Sequence, residues 1–300
     1  MTTLLKPNYR LNTRIWAYLQ TMRPANIVTA WADILTGFAA SGAIIDIPLA
    51  WLILATTGLY GGGVVFNDVF DAKLDAVERP ERPIPTGKAS ILGATILGIL
   101  LLTVGVLAAA QVSLLSAEIA VFVAIGAIIY DAWNKHNAIA SPINMGLCRG
   151  GNLLLGVSAI PTMVGKLWFL ALIPIFYIAA VTAISRGEVH GGKSSTGKLA
   201  LVLLAIALGG VLALVFLPNY YIFAVLPFLA LLSWRVFPPF IAAMQVPSAD
   251  IIRKAVKAGV LSLIILDASM AAGFAGFFYG LVVLGLSIVS IALAKVFAVT

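Results

Sequence analysis

The chain is a succession of long apolar segments separated by short polar ones. Predominantly apolar runs of about 18 or more residues are long enough to cross a bilayer as α-helices, and such windows lie at 25–45, 48–66, 89–110, 112–131, 142–162, 166–184, 199–217, 219–243, 255–274 and 276–296. A spanning chain must satisfy its backbone hydrogen bonds internally, which leaves only helices and closed barrels. The windows lack the alternating pattern of barrel strands, so they predict an all-α polytopic bundle.

Composition supports this fold class. Hydrophobic residues make up 61% of the 300 residues, and charged residues make up 10%. Soluble domains are about 45 to 50% apolar, so the composition excludes a soluble protein. No linker or low-complexity segment divides the chain, and we predict one membrane domain over residues 1–300, with a cytoplasmic polar segment at 1–23.

Lysine and arginine residues indicate which loops are cytoplasmic, because cytoplasmic loops are enriched in them. All but Arg149, Lys166 and Arg235 fall at the termini or in alternate loops: Lys6, Arg10, Arg14, Arg23, Lys73, Arg79, Arg82, Lys88, Lys135, Arg186, Lys193, Lys198, Arg253, Lys254, Lys257 and Lys295. Both termini are therefore predicted to be cytoplasmic, and we expect the bacterial inner membrane. The net charge of +7 follows from this topology and from contact with anionic lipid headgroups, so it does not indicate nucleic acid binding.

A polar stretch, NDVFDAKLD at 67–75, stands between apolar runs. An aspartate at the centre of a span costs about 2.5 to 3.5 kcal/mol, so we expect these acids at the membrane edge or facing a polar cavity. In a helix continued from the second span, Asn67, Asp71 and Asp75 share one face, with Asp68 beside them. Carboxylate and amide oxygens suit Mg²⁺, which uses one or two carboxylates together with substrate phosphate oxygens. The stretch therefore predicts a Mg²⁺ site formed by Asn67, Asp68, Asp71 and Asp75.

Basic residues follow the acids at Arg79, Arg82 and Lys88. They could bind phosphate groups directly, arginine as a planar fork and lysine as a point charge. The alternative is a solvated, charged interfacial loop without a ligand, which the cost of placing acids near the membrane disfavours.

These motifs resemble those of the UbiA superfamily of intramembrane prenyltransferases. The family's first aspartate-rich motif, NDxxDxxxD followed by RPxxxG, is matched by NDVFDAKLD and RPIPTGKAS, and further similarities are MRPAN at 22–26 and YDAWNK at 130–135. The resemblance covers nearly the whole chain. It implies a helical bundle around a central cavity open to the cytoplasmic side, with Mg²⁺ and an isoprenoid diphosphate at that end. Family members typically have nine spans, so the window at 276–296 is expected to be an additional C-terminal span.

The chain departs from the family after the sixth span. Members usually carry a second acidic motif, DxxDxxxD, that holds a second Mg²⁺, whereas this chain has SRGEVHGGKSSTGK at 185–198. Glu188 is the only acid there, and Ser185 and Gly192 stand where carboxylates would be expected. In this respect the chain resembles the bacterial subgroup labelled EboC-like.

The same loop matches the P-loop pattern GxxxxGK[ST] at 187–194. A P-loop must join a strand to a helix, whereas this loop joins two predicted spans, so we do not expect ATP hydrolysis. A weaker alternative is that glycine backbone N–H groups approach an anion, while Arg186 and Lys193 supply charge that a second metal would otherwise provide.

Polar residues within the spans, of which Asp33 and Arg149 stand out, favour either a functional site or pairing inside the bundle. The sequence leaves both interpretations open. With the resemblance, the candidate catalytic residues are Asp71, Asp75, Lys135 and Glu188, and the candidate substrate-binding residues are Asn26, Arg79, Arg82, Tyr130, Arg149, Asn152, Arg186 and Lys193.

We predict Mg²⁺-dependent transfer of an isoprenoid group from an allylic diphosphate to an aromatic or lipid acceptor held in the membrane. The allylic cation must be shielded from water, which favours a site inside a bilayer. The variant second motif raises an alternative, a lipid-diphosphate-binding protein with a transport-linked or scaffold role. An ordinary secondary transporter would instead carry ionisable residues at the midplane of broken helices.

Overall fold

The computed structural model describes residues 7–135 and 137–297, so Lys6 of the predicted basic N terminus lies outside the described residues. All regular elements within these ranges are helical. The α-helices are α1 Pro7–Thr21, α2 Pro24–Ser41, α3 Ile47–Phe70, α4 Ala72–Glu78, α5 Ile91–Ala110, α6 Leu114–Ile129, α7 Ala140–Val157, α8 Pro161–Leu167, α9 Leu172–Ser185, α10 Ser194–Ala213, α11 Ile222–Gln245, α12 Ala249–Leu261, α13 Leu263–Ala275 and α14 Phe277–Ala294.

Each apolar window of the sequence coincides with a long helix or with two consecutive helices. Among the described residues, eight helical segments are long and apolar enough to cross a membrane, with α8 and α9 joined in one segment and α12 and α13 in another. The windows at 25–45 and 142–162 correspond to α2 and α7, which are helical but carry several buried polar side chains. The all-α membrane fold is thus confirmed, while the number of spans stays a prediction.

Local sequence signals explain where several helices begin and end. The side chains of Asp46, Ser90 and Ser113 accept hydrogen bonds from backbone N–H groups in the first turns of α3, α5 and α6, which is the usual role of such residues at helix N-termini. Gly42 ends α2 with φ 74°, a left-handed conformation that glycine adopts without a steric penalty.

Helices α2 and α7 lie side by side with their backbones in close approach. A Cβ atom on Gly37 would lie 2.1 Å from the carbonyl oxygen of Leu153, and one on Gly156 would lie 2.5 Å from the carbonyl oxygen of Ile34. Small residues permit such contacts between membrane helices, where van der Waals packing drives association. The two glycines thus form a reciprocal seam that fixes α2 against α7.

The last helix, α14, packs against α2 and α13 and is an integral part of the bundle. The hydroxyl of Ser290 donates a hydrogen bond to the carbonyl of Ala25 at 2.9 Å, and the hydroxyl of Tyr279 donates one to the carbonyl of Leu35 at 3.1 Å. Val283 is fully buried between these two points. The additional C-terminal helix expected from the sequence is therefore hydrogen-bonded to the start and to the middle of α2.

The seam between α2 and α7 gives a stability prediction. The change Gly37→Ala should destabilise the protein, because overpacking costs about 1 to 3 kcal/mol and the clashing atom is a backbone oxygen that cannot rotate away. Thermal unfolding of the detergent-solubilised protein would measure the loss. The control is Gly209→Ala in α10, where a Cβ atom meets nothing within 4 Å. Equal melting temperatures for the two variants would contradict the close packing.

Candidate functional site

The acidic stretch occupies one continuous helical path at the end of α3. Backbone N–H groups of Asp71 and Asp75 donate to the carbonyls four residues earlier, at 3.0 and 2.8 Å, so the path continues through Asp71 into α4. Asn67, Asp71 and Asp75 consequently lie along one side. The start of α2 and the ends of α3 and α6 lie at the same end of the bundle, where contacts between their side chains assemble the site.

The acids do not stand alone, because each is paired with a basic side chain. Nη1 of Arg82 lies 2.6 Å from Asp75 Oδ2 and 3.3 Å from Asp68 Oδ1. Arg23 adds a second contact to Asp68 at 2.7 Å, and Lys135 is paired with Asp71. The Arg82, Asp68 and Asp75 side chains are 9%, 6% and 4% exposed. Such buried charges require this pairing, because an unpaired one would be strongly destabilising.

A π-helical turn at Tyr130–Asn134 brings the end of α6 to this network. The N–H of Lys135 donates to the carbonyl of Tyr130 at 2.9 Å, five residues back. Asn67 Nδ2 donates to Asp131 Oδ1 at 2.8 Å from the neighbouring helix. Because π-turns widen a helix and often occur at functional sites, this one explains how both Asp131 and Lys135 face α3.

Two members of the network were not among the candidate site residues. Arg23 precedes Pro24 at the start of α2 and has φ 48°, a left-handed conformation that is uncommon for residues other than glycine. Its place in the MRPAN sequence, directly before a helix, was the available signal. Asp131 lies in YDAWNK, and its position between Tyr130 and Lys135 was a similar signal.

The arrangement fits the binding of Mg²⁺. Within residues 7–135 and 137–297, no three acidic, histidine or cysteine side chains gather as a ready metal site. Oxygens of Asp68 and Asp75 nevertheless converge on a single cationic nitrogen, Nη1 of Arg82. Mg²⁺ needs only one or two protein carboxylates beside phosphate and water. Asp68 and Asp75 could therefore bind it once the Arg82 side chain moves away from their oxygens. Asn67 and Asp71 lie on the same helical path.

The loop between α9 and α10 carries Glu188, which the charges of Arg79 and Arg253 influence. Burial raises the pKa of the Glu188 carboxyl above its ordinary value, while the positive charges of Arg79 and Arg253 lower it in part. Nη1 of Arg253 donates to the backbone carbonyl of Glu188 at 3.0 Å. A hydrogen bond therefore joins this loop to α12 through Arg253.

The glycines of this loop do not form a phosphate cradle. The N–H groups of Gly187, Gly191 and Gly192 donate to the backbone carbonyls of Ile184, Gly187 and Pro247 at 3.1, 3.0 and 2.9 Å. They are therefore unavailable to an anion, and the loop joins two helices rather than a strand and a helix. Arg186 and Lys193 have exposed side chains at its two ends, where their charges can attract an anion.

The remaining candidate residues lie deeper or at the edge of the site. Asn26 lies in the first turn of α2, and Tyr130 is half-buried at the end of α6. Arg149 and Asn152 are buried on α7, where both contact Asp33: Nε of Arg149 lies 2.8 Å from Oδ2 and 3.0 Å from Oδ1, and Asn152 Nδ2 lies 2.8 Å from Oδ2. Their observed partners are protein groups, which favours pairing inside the bundle over substrate binding.

The fold and this network define an integral membrane helical bundle with paired acids and bases at one end. The chain belongs to the UbiA prenyltransferase family, whose sequence profile matches residues 26–255. The digeranylgeranylglyceryl phosphate synthase of Methanothrix thermoacetophila is 34% identical over 185 residues, 61% of this chain and 67% of that protein. The synthase of Methanoculleus marisnigri is 28% identical over 55% of this chain and 59% of its own length. The chain thus spans about two thirds or less of these curated relatives.

Solved structures share the fold. A UbiA homologue from Aeropyrum pernix has a TM-score of 0.69 at 14% identity, covering 81% of this chain and 96% of that one. A UbiA homologue from Archaeoglobus fulgidus, solved with GPP and Mg²⁺, has a TM-score of 0.52 at 15% identity, covering 90% and 99%. The resemblance to the family is therefore confirmed, whereas the EboC-like subgroup and the bacterial membrane stay predictions.

The position of Arg82 predicts how the site responds to Mg²⁺. In Arg82→Met, Asp68 and Asp75 lose a buried partner, which costs about 3 to 5 kcal/mol in such pairs. We expect a lower melting temperature without metal and a larger rise on adding Mg²⁺ than in the wild type, because ligand binding to the folded state restores stability. The control is Arg253→Met, whose side chain is 55% exposed. An unchanged or smaller response to Mg²⁺ in Arg82→Met would contradict the assignment.

Glu188 predicts a pH dependence of stability. Because its folded-state pKa is raised, the folded protein binds more protons than the unfolded one above the ordinary glutamate pKa, and stability falls as pH rises through the raised value. Glu188→Gln should flatten this part of the melting-temperature profile. A parallel profile for wild type and variant would show that Glu188 does not contribute.

Proposed function

We propose that the protein transfers an isoprenoid group from an allylic diphosphate to an acceptor held in the membrane, with Mg²⁺ as cofactor. The observation that carries this proposal is the network of Asp68, Asp71 and Asp75 with Arg23, Arg82 and Lys135 at one end of a UbiA-family bundle. A diphosphate with its metal can bind both halves of such a network. The metal cation would bind the acids, and the phosphate anion would bind the bases.

Asp68 and Asp75 would hold the metal, with Asp71 and Asn67 beside them, and Mg²⁺ would supply positive charge to the departing diphosphate. When the metal takes the place of Arg82 and Arg23 at the carboxylates, these two side chains can bind phosphate oxygens instead. Lys135 would leave Asp71 in the same way. Because the three cations are held near the metal ligands before substrate arrives, little reorganisation is needed to stabilise the leaving group.

Side chains at the membrane side of the network would exclude water from the allylic cation. The half-buried ring of Tyr130 lies at the end of α6, next to Asp131 and Lys135. An aromatic face attracts positive charge, so Tyr130 can face the cation while the apolar helices keep solvent away. The carbon–oxygen bond to the diphosphate breaks, and the allylic carbon bonds to the acceptor in the space that the bundle shields. The proton that the acceptor loses would pass to the released diphosphate.

The second loop supports a site with one metal. Glu188 is the only acid between residues 185 and 198. Arg186 and Lys193 would provide positive charge to the diphosphate from this side. Glu188, whose backbone carbonyl accepts a hydrogen bond from Arg253, would position the loop.

The relatives named as digeranylgeranylglyceryl phosphate synthases favour a lipid over an aromatic acceptor for this chain. The alternative of a diphosphate-binding scaffold or transport-linked protein has no support among these relatives. The acceptor's reacting group must lie on the membrane side of the network, since the diphosphate occupies the polar side.

Binding of the diphosphate tests the metal site directly. In Asp71→Asn, Lys135 loses its ionic partner and the metal loses a neighbouring negative charge, so calorimetric binding of geranyl diphosphate in Mg²⁺ should fall at least tenfold, about 1.4 kcal/mol. Asp250→Asn, on the exposed start of α12, should bind as the wild type does. Equal affinity for both variants would remove Asp71 from the site.

Counting metals tests the role of the second loop. We expect one Mn²⁺ per bound diphosphate by electron paramagnetic resonance titration. The double change Ser185→Asp with Gly192→Asp places acids where relatives usually carry them and should raise the count to two. Two ions in the wild type would overturn the one-metal site without affecting the transfer reaction.

The reaction itself is tested by incubating membranes that contain the protein with radiolabelled prenyl diphosphates and a lipid extract. A labelled lipid that forms with the wild type and not with Asp71→Asn supports transfer. Diphosphate binding without any labelled product across the panel would favour the scaffold alternative.

A further inference from the structure

A second group of ionisable side chains lies inside the bundle, away from the acidic stretch. Asp33 of α2, Arg149 of α7 and Asp267 of α13 are 1%, 7% and 1% exposed. Ionisable residues within membrane-spanning segments are costly and commonly functional. The proposed prenyl transfer makes no use of this group.

Asp33 is fully engaged as an ionised carboxylate. Arg149 Nε contacts both of its oxygens, at 3.0 and 2.8 Å, and Asn152 Nδ2 donates to Oδ2 at 2.8 Å. Asn152 is held in turn by Thr56, whose hydroxyl donates to its Oδ1 at 2.7 Å. Helices α2, α3 and α7 thus converge on Asp33 and satisfy its charge.

Asp267 is in a different situation. Its Oδ2 receives no hydrogen bond, and the nearest cationic atom, Nη2 of Arg149, is 3.9 Å away. That nitrogen already donates to the backbone carbonyl of Thr29 at 2.6 Å. Asp33 and Asp267 lie beside the same guanidinium, since Oδ2 of Asp33 is 2.8 Å from Nε of Arg149 and Oδ2 of Asp267 is 3.9 Å from its Nη2.

The charges of the group decide its protonation. One guanidinium neutralises one carboxylate, and Asp33 already takes that role, so an ionised Asp267 would add an unpaired negative charge beside another in an apolar region. Two carboxyl groups beside one guanidinium avoid this when one of them binds a proton. The hydroxyl of the buried Tyr177 donates to the carbonyl of Gly259 at 2.9 Å, and a tyrosine is neutral or negative, so it supplies no compensating positive charge.

We propose that Asp33 and Asp267 form a carboxyl pair that binds one proton inside the membrane-spanning bundle, with Arg149 as the fixed counter-ion. Asp267 carries the proton, and Asp33 stays ionised against Arg149. The hydroxyl of Thr36 fixes α13 at this point by donating to the backbone carbonyl of Asp267 at 2.9 Å. The bound proton thereby lets α13 pack against α2 without charge repulsion.

This site is separate from the diphosphate site but shares a helix with it. Asp33 lies ten residues after Arg23, which is about 15 Å along a helix. The proposal does not depend on prenyl transfer, and a protein without any transferase activity would still bind the proton.

Infrared difference spectroscopy of the full-length protein in lipid vesicles tests the site. The wild type at neutral pH should show the carbonyl band of a protonated carboxyl, and ¹³C-aspartate labelling should shift it. Asp267→Asn should remove the band, whereas Asp250→Asn, at an exposed position, should retain it. Absence of an aspartate carboxyl band in the wild type, or its persistence in Asp267→Asn, would overturn the proposal.

Stability of the two variants gives an independent measurement. Asn is the neutral counterpart of a protonated Asp, so Asp267→Asn should keep the wild-type melting temperature, whereas Asp33→Asn removes the carboxylate in direct contact with Arg149 and should lower it strongly. Equal large losses would show that Asp267 is ionised and would overturn the proposal.

The choice of salt gives a further control on the infrared measurement. If the carboxyl carbonyl band disappears when potassium chloride is replaced by sodium chloride, the site holds a sodium ion in place of the proton, and the proposal is overturned.

Discussion

The bundle depends on neutralising charge inside an apolar medium. Each buried ionised acid lies against a basic group, from Asp75 with Arg82 at the end of α4 to Asp33 with Arg149 between α2 and α7. Neither partner could be buried alone at a tolerable cost. Because the partners come from different helices, neutralising these charges also fixes how α2, α3, α6 and α7 sit together. Electrostatics therefore sets the architecture here as much as apolar packing does.

The same pairing explains how one arrangement can serve both the empty and the loaded protein. Basic side chains that stabilise the acids at rest are the groups that a phosphate would bind, and the acids are the groups that a metal would bind. Arg82 illustrates this most directly, because one of its nitrogens contacts both Asp68 and Asp75. The loop between α9 and α10 differs, since the N–H groups of its glycines donate to backbone carbonyls, while the side chains of Arg186 and Lys193 are exposed.

Much of this could be predicted from sequence, for identifiable reasons. Apolar run length gave the helices, and the spacing of Asn67, Asp71 and Asp75 gave their common side, because both depend on local geometry. Contacts between distant segments could not be read in this way: Arg23 with Asp68 and Asn67 with Asp131 join residues 45 and 64 positions apart. Asp267 is the extreme case, since its neighbour Asp33 lies at the other end of the chain. The π-turn after α6 and the break between α12 and α13 also leave no clear periodic signal.

The glycine seam between α2 and α7 has a consequence for how the protein can move. Backbones in direct contact at Gly37 and Gly156 cannot slide or separate without losing that fit, so the two helices behave as one rigid body. Under the proposed function, entry of a bulky substrate would then be accommodated by α4 with the segment that follows it and by the loop between α9 and α10, rather than by α2 and α7. Helices α2 and α7 would thus keep their relative position while the elements around them adjust.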